Sequence, residues 1–187
     1  MYPGPYGGTL LAGVGTDISA VYQQSNEEIR ASWDVFVDPE SEVTALNWCA
    51  GSSPQKCDIV YRKALPIDAK HVNYVLLKPM LNGQRYFITV QCTNGAGVVA
   101  TLVSNGVTVD ITPPKAGVVI DGKEMDSEYF NAAEEVTASW SKFLDTESGI
   151  ESYAVAVCSA FNQSSCPLKW SSLQNATTVK LTGIISF

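Results

Sequence analysis

With 187 residues, 45% of them hydrophobic and 17% charged, the chain has the apolar mass for one or two ordinary cores, which excludes a disordered or fibrous polymer. A formal charge of −7 and a pI near 4.6 exclude a broad basic surface, so neither nucleic acid nor an anionic membrane is expected as a partner. No run approaches the ~18 to 20 apolar residues of a membrane-spanning helix, so no membrane insertion by this segment is expected.

The opening Met1 to Gly8 has no basic n-region, and Leu10, Leu11 and Ala12 are too few for a signal-peptide core, so Met1 reads as the start of a fragment. A short apolar strand follows between Gly8 and Gly13. Ile29, Ala31 and Trp33 then alternate with Arg30 and Ser32, the period of two that marks a half-buried strand. Leu46 and Trp48 continue the pattern, and Tyr86, Ile88, Val90 and Cys92 mark a later strand. Asn82-Gly83, Asn94-Gly95, Asn105-Gly106 and Pro113-Pro114 punctuate the runs as turns.

The plan then starts again. Gly117 to Gly122 repeats the opening strand, and Ala138-Ser139-Trp140 repeats Ala31-Ser32-Trp33 at an offset of 107 residues (138 − 31). Without a gap, Phe36, Asp38, Glu40, Ser41 and Val43 are matched by Phe143, Asp145, Glu147, Ser148 and Ile150. Val136, Ala138 and Trp140 alternate as their counterparts do, and Tyr153, Val155 and Val157 follow. Short strands about ten residues apart, with no amphipathic helical stretch, indicate an all-β sandwich in each unit.

These residues carry a resemblance. The strand Trp, a Leu-rich later strand, and the run Asn82-Gly-Gln-Arg-Tyr86-Phe-Ile-Thr-Val-Gln-Cys-Thr-Asn-Gly-Ala-Gly97 are similar to a fibronectin type III-like domain, with Tyr86 at the tyrosine-corner position. Phe-x-Asp-x-Glu-Ser at Phe36 and Phe143, and Val109-Asp-Ile-Thr-Pro-Pro114 between the units, resemble the divergent repeats of large extracellular multi-repeat proteins. Met80 departs from the pattern, standing where a Leu usually packs under the corner Tyr.

The resemblance implies tandem immunoglobulin-like, fibronectin type III-like β-sandwiches, the first over residues 1–112 and the second over 113–187. Aligning Val75 and Leu77 with Val179 and Leu181 puts Phe187 just short of a second corner Tyr. The second repeat is accordingly expected to be incomplete at its C-terminus, its last two strands coming from later residues of a longer protein or from a neighbouring chain.

Cys49 and Cys57 are eight residues apart, and so are Cys158 and Cys166. Each pair begins where a strand ends, and alternation sets Cys49 and Cys158 opposite the core-facing Trp48 and Val157. A bridge within each pair is expected, which implies an oxidising, extracellular compartment. The alternative is four free buried thiols. Zinc is disfavoured because close ligand pairs are lacking and the only histidine, His71, is distant in sequence. Cys92 shares the parity of Tyr86, Ile88 and Val90 and reads as a core hydrophobe.

Two sequons, Asn162-Gln-Ser164 and Asn175-Ala-Thr177, fall in polar loop sequence and are expected glycosylation sites. Asn47-Trp-Cys49 is a minor sequon form whose Asn lies in a packed strand, and it is discounted.

A nucleophile–histidine constellation would have to be built around His71, which has no nucleophile-elbow glycines near it, and no Gly-rich phosphate loop leads into a helix. The repeated carboxylates Asp38, Glu40, Asp145 and Glu147 admit two readings. They cap backbone amides in the same turn of both units, or they act as an acid/base pair or calcium ligands at a repeat junction, with help from Asp110, Asp121 and Asp126. The turn reading is adopted, with no metal and no cofactor.

The expected function is that of a non-enzymatic structural repeat segment of an extracellular matrix, coat or filament protein, whose partners are other repeats of the same or neighbouring chains. The alternative is a module of a receptor or adhesion ectodomain that binds a protein or glycan ligand. Exposed aromatics around Tyr2, Tyr6, Tyr22 and Phe161 would favour that alternative.

Overall fold

In the computed structural model the described residues are 4–13, 21–121, 135–158, 168–173 and 176–182. The chain divides into two compact units, Met1–Thr112 and Pro113–Phe187. Every regular element among the described residues is a β-strand.

The first unit packs two sheets face to face. One contains β1 (Leu10–Ala12), β3 (Glu28–Trp33) and β6 (His71–Val75), in the order β1-β3-β6. The other contains β2 (Tyr22–Gln23), β4 (Val43–Gly51), β5 (Val60–Leu65), β7 (Arg85–Asn94), β8 (Val99–Val103) and β9 (Val107–Val109), in the order β2-β9-β7-β4-β5, with β8 also paired to β7. β2 joins β9 in parallel, Tyr22 opposite Thr108, and every other pairing in the unit is antiparallel. β8 and β9 lie along one edge of β7, interrupted by a kink at Ser104. There the buried hydroxyl accepts the Ile88 and Gly106 amides at 2.9 and 3.3 Å, and Gly106 takes φ +83°, which suits glycine.

Period-two alternation builds the core. Ile29, Ala31 and Trp33 of β3 face Leu46 and Trp48 of β4 and Tyr86, Ile88, Val90 and Cys92 of β7, all at most 5% exposed. Trp48 meets Tyr74 edge-on at 5.4 Å between centroids, and Trp33 Nε1 donates to the Ala69 carbonyl at 2.9 Å. The Leu81 amide donates to the Tyr86 hydroxyl at 2.9 Å over buried Met80, closing the tyrosine corner.

One alignment is corrected. Ala31 stands opposite Val72, and Ala138 stands opposite Val179, so Val179 corresponds to Val72 rather than to Val75. The physical reason is that β6 pairs with β3 only over His71–Val75, facing Val72 and Tyr74 inward. Val75 and Leu77 are 72% and 97% exposed, so the Leu-rich run lies largely beyond the strand.

The second unit repeats the plan. β10 (Val118–Asp121), β11 (Glu135–Ser141) and β14 (Thr178–Thr182) form one sheet in the order β10-β11-β14. β12 (Tyr153–Val157) and β13 (Leu168–Leu173) form the other. Tyr153 packs against Trp140 and Phe143, with centroids 5.6 and 5.7 Å apart. An isolated Lys115–Leu144 bridge stands where the first unit has Tyr6–Val37. Among the described residues no strand pairs with β12 on the edge that corresponds to the one β7 occupies beside β4. An apolar cleft of about 550 Å³ lies on this side, lined by Val119, Ala138, Trp140, Phe143, Tyr153 and Val155 among others.

Candidate functional site

The polar residues common to both units build turns. Asp38, 6% exposed, accepts the amides of Glu40 and Ser41 at 3.2 and 2.8 Å on one carboxylate oxygen, and the Asn94 side-chain amide at 2.8 Å on the other. Asn94 in turn accepts the Ala96 and Val98 amides at 3.1 and 2.8 Å, so one carboxylate and one amide lock two turns together. The Asn94 hydrogen bond, followed by that from Ser41, holds Asp38 below its ordinary carboxylate pKa.

Asp145 repeats the arrangement. Its Oδ1 accepts the Glu147, Ser148 and Gly149 amides at 3.0, 2.8 and 3.2 Å, and these bonds, Ser148 first, lower its pKa too. A carboxylate already accepting two or three backbone amides is a poor proton acceptor, which suits a structural role better than acid/base work.

His71 sits exposed at the first position of β6, opposite Ser32. Of the aromatics considered for binding, Tyr6 and Tyr22 are exposed at 59% and 43%. Tyr2 and Phe161 lie outside the described residues, as do Asn162 and Asn175.

Cys49 and Cys57 form a disulfide with Cα atoms 5.3 Å apart, joining the end of β4 to the loop before β5. Cys49 lies on the face away from Trp48 yet is fully buried, because the loop carrying Cys57 folds over that face. Gly51 permits the close approach: a Cβ there would lie 1.9 Å from the Lys56 carbonyl oxygen. The Ser52 amide and hydroxyl bond Asp58 at 2.8 and 2.7 Å. Lys56, 2.7 Å from Asp58, holds that carboxyl far below the usual range. Cys158 is also disulfide-bonded, and Cys166, the partner expected for it, lies outside the described residues. Cys92 is a free, buried thiol; burial, reinforced by the charge of Asp38, pushes its pKa up and keeps it protonated.

Sequence reasoning did not find a groove of about 610 Å³ where the free edge of β5 meets the chain leaving β6. Ile59, Val60, Tyr74, Leu76 and Met80 line it, and Arg62, Lys63 and Lys78 supply its charge. Tyr61, Leu77 and Leu81 also line it, at 80%, 97% and 68% exposure. Lys63 Nζ stands 5.2 Å over the Tyr74 ring. The signal was present in part as charge clustering. Lys56, Arg62, Lys63, Lys70, Lys78 and Arg85 are six of the twelve Lys and Arg residues, set among only Asp58 and Asp68 in a chain with 19 acidic residues.

Fold and site together define an all-β chain of two units, the first a sandwich with fibronectin type III-like strand order and a tyrosine corner at Tyr86. Among solved structures the chain is similar to the chicken CNTN1 FN1-FN3 domains. The match has 15% identity and a TM-score of 0.40, and covers 97% of this chain and 58% of that one. The chain thus spans less than two thirds of that structure's length. No family model and no curated protein matches the sequence.

Proposed function

We propose that this chain is a non-enzymatic structural segment of an extracellular protein, in which type III-like repeats act as spacers or packing units. The observation that carries this reading is the paired use of Asp38 and Asp145. At equivalent positions of the two units, the most distinctive shared polar residue accepts the amides two and three residues ahead. What the repeats have in common is therefore the means of building a turn, as expected of modules selected for architecture. The Cys49–Cys57 bridge supports an oxidising compartment.

The experiment is mass spectrometry of the native protein, isolated under non-reducing conditions and sequenced intact. Further repeats in a secreted or surface fraction support the proposal. An enzyme domain on the same polypeptide, or recovery from the cytosol with free thiols, contradicts it.

A second reading, a binding module of a receptor or adhesion ectodomain, is favoured by two features: the exposed rings of Tyr6 and Tyr22, and the cationic, apolar groove beside β5.

A further inference from the structure

The free edge of β5 in the first unit combines three properties. First, β5 is the terminal strand of its sheet, paired with β4 alone, so the outward main-chain groups along that edge have no strand partner among the described residues. Second, the groove beside it exposes Tyr61, Leu77 and Leu81 to solvent while Val60, Tyr74 and Met80 form its floor. Third, its charge is of one sign. Asp58, the single carboxylate lining it, is already ion-paired to Lys56, whereas Arg62, Lys63 and Lys78 project from a chain of net charge −7.

From this we propose that the β5 edge is a docking site for an extended acidic segment of a partner protein, which adds as a strand to β5 and lays alternate apolar side chains into the groove. An added strand satisfies the free main-chain groups, and its period of two sends every second side chain toward the groove. Charge selects the partner. Lys63 stands opposite Trp48 on the inward face and Arg62 lies beside Gln91, so a second copy of this edge is repelled while carboxylates are attracted. Arg62 and Lys63 thus both guard the edge against self-pairing and set its specificity. The inference rests on the first unit alone and is independent of whether the chain serves as a spacer.

The test uses the whole 187-residue chain and three probes. These are a dodecapeptide alternating Glu with Val and Tyr, a peptide of the same composition with its Glu residues in one block, and a heparin-derived oligosaccharide. Binding is followed by calorimetry, and amide hydrogen exchange is followed residue by residue. The alternating peptide is expected to bind, to slow exchange at residues 61–64, and to weaken as salt is raised. The block peptide is expected to bind at least about tenfold more weakly, and Lys63→Glu with Lys78→Glu to reduce affinity by a similar factor. Both lysines are exposed, so the variant should fold, and the exchange pattern of the unsubstituted protein decides the question if it does not. Absence of peptide binding overturns the proposal. So does equal binding of both peptides without protection at 61–64, or binding of the oligosaccharide alone, which would make the groove a polyanion site.

Discussion

The Asn94 side-chain amide donates to Asp38 Oδ2 at 2.8 Å across 56 residues of sequence, joining the turn after β3 to the turn after β7. Both groups are buried, at 5% and 6% exposure, and each also accepts two backbone amides. Removing either partner therefore leaves the other buried and short of a bond.

Acid should expose this tie. Asp38 and Asp145 titrate below their ordinary value of 3.8 in the folded chain, so they bind protons more weakly folded than unfolded. Their stabilisation is complete above that value and is lost as pH falls through the folded-state values. Urea midpoints measured from pH ~7 to pH ~2 should fall most steeply below pH ~4. Asp38→Asn should lower the midpoint at neutral pH and flatten the acid limb; an unchanged pH profile would contradict the assignment.

Removal of the Cys49–Cys57 bridge by Cys49→Ala with Cys57→Ala should cost the first unit about 2 to 3 kcal/mol, from the loop closed by eight residues of separation. The equilibrium urea transition of the double variant reads the loss directly. A cost near zero would mean that the Lys56–Asp58–Ser52 contacts hold the loop without the bridge.

Tyr86→Phe deletes only the hydroxyl that accepts the Leu81 amide at 2.9 Å. Loss of that bond at a buried corner should destabilise by about 1 kcal/mol while leaving the core packing of Ile88 and Val90 unchanged. Urea denaturation combined with side-chain methyl spectra of those two residues separates the two effects.

The repeated tryptophans should behave differently. Trp33 Nε1 donates to the Ala69 carbonyl at 2.9 Å, whereas Trp140 Nε1 is buried with no hydrogen-bond partner among the described residues. Indole hydrogen exchange should be slower for Trp33 than for Trp140, and Trp33→Phe should forfeit a bond that Trp140→Phe does not. Equal exchange rates would refute the distinction.

Much of the fold was legible because alternation is a local signal. Ile29, Ala31 and Trp33, and Tyr86 through Cys92, each declare their buried face within a few residues, and the 107-residue repeat doubles the evidence. Hydrophobicity misplaced β6. Leu76 and Leu77 look more strand-like than His71-Val72-Asn73-Tyr74, yet β6 pairs with β3 over His71–Val75 and leaves Leu77 in solvent. The burial of Cys49 was hidden for a different reason: alternation alone sets it outward, and only the loop held by Cys57 covers it. The β5 groove is assembled from a strand edge and a segment more than ten residues away, so no local pattern announces it.

Mapping the cysteines of protein recovered from its native source, alkylated before and after unfolding without reductant, tests the extracellular repeat account most directly. The account predicts Cys49 linked to Cys57 and Cys158 linked to Cys166, with Cys92 modified only after unfolding. Alkylation of all five cysteines in the unfolded, unreduced protein would contradict it.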